Sequence, residues 1–143
     1  TIYNKKNIKI INDSKSTSFS SSLEMLKASN NIYWLIGGIP KKGDKFNLPK
    51  TYYKNISGYI FGKNTKFFLS DLKNRIKLKS FSNLEKAFNG IYRDMQIDRS
   101  NMKTILFSPA AASFDSFKNF EDRGEKFNKL IKKLNLKKII NAR

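Results

Sequence analysis

Three short stretches of this chain combine small residues, glycines and charged groups in patterns that could hold an anion. The longest runs Ser108-Pro-Ala-Ala-Ala-Ser-Phe-Asp-Ser-Phe-Lys-Asn-Phe-Glu-Asp-Arg-Gly124. Thr104–Phe107 precedes it as a short apolar run, the pattern of a buried strand. Phe117, Phe120, Phe127, Leu130, Ile131 and Leu134 follow at helical spacing and give a long helix one apolar face. Asp115 is placed to cap that helix, Glu121 and Asp122 sit in its early turns, and lysines crowd its far end, as the helix dipole prefers. The small residues between strand and helix allow a sharp turn and leave amide groups free. Free N–H groups at a helix start favour a phosphate or a carboxylate. An ordinary strand–helix connection has the same local pattern.

The second stretch is Asn12-Asp-Ser-Lys-Ser-Thr17, directly after the apolar run Ile8–Ile11. Lys15-Ser16-Thr17 looks superficially like the end of a phosphate-binding P-loop, but the glycines that let such a loop wrap a triphosphate are missing, so that reading is rejected. The third is Gly37-Gly38, at the end of Ile32-Tyr-Trp-Leu-Ile36. A glycine pair there permits unusual backbone angles and close approach of a ligand, or simply a tight turn.

Composition narrows the chemistry. There is no cysteine, which excludes disulfides and thiolate metal sites and fits a reducing compartment. There is no histidine, which removes the commonest general base and the commonest metal ligand, so neither a self-contained hydrolase triad nor a metal site is expected. No apolar run is long enough to cross a bilayer, and the first residues show no signal-peptide pattern, so no membrane partner is expected. The net charge of +18 invites a nucleic-acid reading. Yet the lysines are spread from end to end, and asparagine and isoleucine are abundant with them, the mark of compositional drift in an A/T-rich genome. A basic nucleic-acid-binding α/β module is therefore the alternative, and no nucleic-acid partner the main expectation. The aromatic residues fall mostly at core-period positions, away from any exposed stacking platform.

The elements that must position these stretches alternate along the whole chain. Strands are expected at Ile8–Ile11, Ile32–Ile36, Ile56–Phe61, Lys77–Phe81 and Met102–Phe107, and a short terminal strand or frayed tail at Leu136–Ile140. Helices are expected at Ser18–Ala28 and Thr65–Ile76, and after Ser82. There Ser-Asn-Leu-Glu reads as a capping box with Glu85 reaching back. The connections are too long for hairpins, so the 143 residues read as a single α/β domain with a mostly parallel sheet of about six strands. In such sheets ligands lie beyond the carboxyl ends of the strands, and all three stretches follow a strand, so one rim is expected to collect them.

The same three stretches carry a resemblance. Ser-Pro-Ala, Ser-Phe-Asp and Phe-Lys-Asn-Phe-Glu-x-Arg-Gly, together with Asn-Asp-Ser-Lys-x-Thr and Gly-Gly-Ile-Pro-Lys-Lys-Gly-Asp, resemble the last domain of the Mur ligase family in its D-glutamate-adding branch. The resemblance covers roughly Ile8 to Leu134. Ser16 and Ser18 depart from it, standing where alanine and asparagine are usual.

The resemblance implies a Rossmann-like three-layer domain with helices on both faces, the last of three, with the N-terminal and central ATP-binding domains absent. It implies a cytoplasmic role in peptidoglycan synthesis: binding the amino acid that joins UDP-N-acetylmuramoyl-L-alanine once ATP and Mg²⁺ have made an acyl phosphate. Neither cofactor is expected on this domain alone, the domain is expected to be inactive by itself, and a monomer is expected. The implied D-glutamate pocket is Lys15, Thr17, Lys41, Ser113, the backbone N–H of Phe114, and Phe120; Lys41 matches the family's lysine best, with adjacent Lys42 the alternative. Asp13 matches an acidic position that contacts the nucleotide, and could otherwise be a turn or cap residue. Arg123 and Gly124 are expected to be structural, the arginine pairing locally.

Overall fold

The structure is a computed structural model that describes residues 3–5, 8–13, 18–28, 30–38, 45–63, 65–98, 102–108 and 119–134. Six strands form one sheet: β1 (Tyr3–Lys5), β2 (Ile8–Asn12), β3 (Ile32–Gly37), β4 (Ile56–Phe61), β5 (Lys77–Phe81) and β6 (Lys103–Phe107). Their spatial order is β1-β2-β6-β3-β4-β5. All neighbours pair in parallel except β1, which runs antiparallel to β2 at the edge. The expected mostly parallel sheet of about six strands is present. The helices are α1 (Phe19–Ala28), α2 (Thr65–Leu72), α3 (Leu84–Ile97) and α4 (Phe120–Leu134), with a 3-10 helix at Lys50–Asn55.

Successive strand residues point to opposite faces, and two cores follow from that alternation. Ile10, Tyr33, Leu35, Tyr59, Ile105 and Phe107 pack under α3 and α4. Ile11, Trp34, Ile36, Ile60 and Leu106 pack on the other face under α1 and α2. A sheet apolar on both sides needs helices on both sides, and the result is the expected three-layer architecture. The chain moves outward from β3 through β4 to β5, then returns over α3 to insert β6 between β2 and β3. A right-handed crossover changes face when the direction of travel reverses, so α2 and α3 lie on opposite faces.

Several local expectations are corrected. The cap of α3 is Asn83, whose side chain accepts from the Lys86 N–H at 2.8 Å, in place of Ser82. Helix α2 stops at Leu72, before Ile76, and Asn74 takes the left-handed backbone conformation (φ 68°) in the turn that follows. Helix α4 begins at Phe120, and Asn119 accepts from the Asp122 N–H at 2.8 Å, so Asn119 fills the capping role expected of Asp115. Asp115 and the segment Leu136–Ile140 lie outside the described residues. Strand β1 and the 3-10 helix have no counterpart in the sequence reading.

Candidate functional site

Strands β2, β6 and β3 are adjacent and parallel, so their carboxyl ends share one rim. The register sets Asn12 beside Phe107 and Phe107 beside Leu35, and β3 continues two residues further to Gly37. Each of the three stretches therefore leaves the sheet from a neighbouring position. Lys15, Thr17, Lys41, Lys42, Ser113 and Phe114 lie outside the described residues. Phe120 is the first residue of α4, and its side chain also lies outside the description. The structure thus places the roots of the stretches and the residue Asp13.

The roots are fixed by bonds that cross the fold. Asp13 extends the β2–β6 ladder, its N–H donating to the Phe107 carbonyl at 2.7 Å. Its carboxylate accepts from the Ser108 hydroxyl at 3.0 Å. Ser108 is fully buried; its Oγ lies 2.6 Å from Ser22 Oγ in α1, and its carbonyl accepts from Trp34 Nε1 at 2.7 Å. Asn12 donates through Nδ2 to the Gly124 carbonyl at 3.0 Å and to Asn128 Oδ1 at 2.9 Å, tying the end of β2 to α4. Arg123, also fully buried, reaches across the fold to donate to the Gly37 carbonyl at 3.5 Å, a longer range than the local pairing expected of it.

The two glycines at the third root are needed for different reasons. A Cβ on Gly37 would lie 2.3 Å from the Phe61 carbonyl oxygen in β4. Gly38 has φ 125°, a conformation that L side chains rarely adopt. On the far side of the stretch, Phe46 is buried, stacks on Trp34 (centroids 5.8 Å apart) and donates its N–H to Asp71 at 2.8 Å. Both flanks of residues 39–44 are thus anchored to the core.

Sequence reasoning missed Ser22 and Trp34 as members of this rim, and gave Asn12 and Ser108, the heads of two expected stretches, no role of their own. Ser22 could have been flagged because it stands at a helix position, between Phe19 and Leu26, that faces the core. A buried polar side chain there needs a partner, and a partner had to be nearby.

A cavity of about 510 Å³ opens at the opposite edge of the sheet, between the amino-terminal ends of β3, β4 and β5 and the end of α3. Tyr33 donates to Asp98, and Tyr59 donates to Asp94 at 2.6 Å; Lys79 also bonds Asp94, at 2.9 Å. Burial, then the bond to the neighbouring carboxylate, pushes both tyrosine hydroxyls above their ordinary value. Partial burial raises Asp94, but the bonds from Tyr59 and Lys79 and the charge of Lys79 and Arg93 outweigh it and hold the carboxyl below its usual range. Both carboxylates are spent on neighbours, and no motif of the chain converges here. This cluster reads as a polar closure of the sheet's lower edge.

Among the described residues, no group of three or more acidic residues could hold a metal ion, and no helix is long and apolar enough to cross a membrane. Among the described residues, Trp34, Phe19, Phe46, Phe68, Phe88 and Phe107 are fully buried, while Tyr52, Tyr53, Phe67, Phe81 and Tyr92 are half-buried and no aromatic residue is fully exposed.

No family model matches the chain. It is 44% identical over 127 residues, 89% of its length, to the UDP-N-acetylmuramoylalanine–D-glutamate ligase of Rickettsia prowazekii. It is 42% identical over 137 residues, 95% of its length, to the enzyme of the same name from Rickettsia conorii. The likeness extends to the enzyme of that name from a Wolbachia of Brugia malayi, at 37% over 129 residues. The chain spans only about a quarter of these relatives: 28%, 27% and 26% of their lengths respectively. The resemblance seen in the motifs therefore holds over about nine-tenths of this chain.

Proposed function

We propose that this chain is the C-terminal, amino-acid-binding domain of a ligase that adds D-glutamate to UDP-N-acetylmuramoyl-L-alanine in peptidoglycan synthesis, and that residues 1–143 form that one domain. The observation that carries the reading is the side-by-side placement of the three motif-bearing strand ends on β2, β6 and β3. The similarity to ligases of that name supports it.

D-Glutamate carries two carboxylates and one amine. A site for it needs cations and donors in a fixed arrangement that leaves the nitrogen free. In this reading Lys41 or Lys42 supplies a compact positive charge, Thr17 a hydroxyl donor, and Lys15 further positive potential in the same loop. Ser113 and the Phe114 N–H hold the second carboxylate, and Phe120 covers the aliphatic stem. Asp13 meets the nucleotide from the root of β2. Neighbouring strands set all three roots at fixed separations, so the contribution of the chain is orientation of the amine toward its target. ATP, held with Mg²⁺ by domains outside this chain, activates the acceptor carboxylate. The chain alone is expected to form no amide product from ATP, and to act in the cytoplasm as part of a monomeric enzyme.

The test uses a full-length ligase that contains this sequence. Lys41→Ala, Lys42→Ala and Ser113→Ala are compared in steady-state kinetics. Losing a charged hydrogen bond worth about 1.5–3 kcal/mol raises the KM for D-glutamate roughly ten- to hundredfold in Ser113→Ala and in one of the two lysine variants. The KM for the UDP-sugar substrate stays unchanged. A loss confined to the UDP-sugar, or no loss for D-glutamate in any variant, overturns the assignment.

A further inference from the structure

The three side chains Ser22, Ser108 and Asp13 come from α1, the end of β6 and the end of β2, and lie in hydrogen-bond sequence. The direction of that sequence follows from proton counting. An ionised carboxylate only accepts, so the 3.0 Å bond to Asp13 consumes the single hydroxyl proton of Ser108. The 2.6 Å contact between the two serine oxygens must then be donated by Ser22. Its other acceptors, the carbonyls of Ser18 and Ser108, are more distant at 3.5 and 3.4 Å. Ser22 and Ser108 are both fully buried, so water does not compete for these bonds. A donor that itself accepts a short hydrogen bond is a stronger donor. Ser108 cannot drift from this position, because Trp34 Nε1 holds its carbonyl at 2.7 Å.

We propose that Ser22 and Ser108 form a one-way hydroxyl relay that fixes the direction of the Asp13 carboxylate, making both serines positioning residues for nucleotide binding. The relay is read from the geometry alone; its consequence for the nucleotide rests on the ligase reading. The relay also joins the roots of two of the three rim stretches, since residue 13 leads into one and residue 108 into another. An apolar residue at position 22 would leave Ser108 with its proton but without the bond that polarises it. A purely space-filling role for Ser22 predicts no effect on a carboxylate two bonds away.

Two readouts separate the parts of the proposal. In this chain, carbon-detected NMR of the side-chain carboxyls follows Asp13 in Ser22→Ala and Ser108→Ala. The Asp13 signal moves in both variants while those of Asp94 and Asp98 stay in place. An Asp13 signal that stays in place in Ser22→Ala overturns the relay. Ser22→Ala carries the test should Ser108→Ala fail to fold, because it leaves the carboxylate's immediate donor intact. In the full-length ligase, the KM for ATP rises about tenfold in Ser108→Ala, the loss expected for one hydrogen bond to a charged group. It rises less in Ser22→Ala. Signal movement without any change in the ATP KM leaves the relay standing and removes the nucleotide role given to Asp13.

Discussion

Replacing Gly37 with alanine tests how rigidly the rim is built. The added Cβ would lie 2.3 Å from the Phe61 carbonyl oxygen and 3.0 Å from two atoms of the Phe61 ring. An ordinary carbon–oxygen contact is about 3.3 Å, so roughly 1 Å of separation must be found. The ring could turn a little. The oxygen cannot yield so easily, because Gly37 and Phe61 are register partners in the parallel ladder of β3 and β4. Overpacking of this kind costs about 1–3 kcal/mol, and a weakened ladder bond adds about 1 kcal/mol. We take about 3 kcal/mol as the expected loss. With an unfolding entropy of about 2.1 cal/mol/K per residue, 143 residues give about 0.3 kcal/mol/K, and Tm falls by about 10 °C. Thermal unfolding followed by circular dichroism reads this directly. A Tm within about 2 °C of the parent would show that the strand ends are loose, and would refute the claim of a rigid root.

Other perturbations follow from the same contacts. Phe107→Ala removes a buried ring that lies 4.3 Å, centroid to centroid, from Phe127. It is expected to cost about 3–5 kcal/mol in urea unfolding, and a loss below about 1 kcal/mol would contradict its central place in the core. Asn12→Ala deletes both bonds from Nδ2 to α4, and faster hydrogen exchange in that helix, with little change in α2, is the expected result. Tyr59→Phe removes a donor that helps to hold Asp94 low. A carboxyl lowered by folding adds stability that is fully present above its unfolded value of 3.8 and is lost as pH falls through the folded value. The variant is therefore less stable than the parent at neutral pH, and the gap narrows as the solution is taken below about pH 4; a gap constant with pH contradicts the assignment.

The layer architecture was legible because its causes are local. Apolar runs such as Ile32–Ile36 announce strands buried on both faces, and the face of α3 built from Leu84, Ala87, Phe88, Ile91 and Met95 repeats at helical spacing. Strand order was not legible. Insertion of β6 between β2 and β3 depends on how the two cores fill, and no residue within β6 encodes its neighbours. Strand β1 escaped notice because three residues cannot display a period. At the start of α3, Ser82 and Asn83 are both good caps, and sequence preference alone could not choose between them. Helix α1 has an interrupted apolar period because one of its buried positions is Ser22, a polar residue whose burial makes sense only with Ser108 beside it. The motif residues proposed for the amino-acid site were selected by resemblance, and the fold supplies the neighbouring strand ends that root their stretches.

The most direct test of the central claim is a D-glutamate titration of this chain followed by backbone amide NMR. The expected shifts gather at Asp13, Gly37, Gly38 and Ser108, and at Thr17, Lys41 or Lys42, and Ser113. Shifts centred instead on Tyr33, Tyr59 and Lys79 at the opposite edge of the sheet, or no shifts at any D-glutamate concentration the sample tolerates, contradict it.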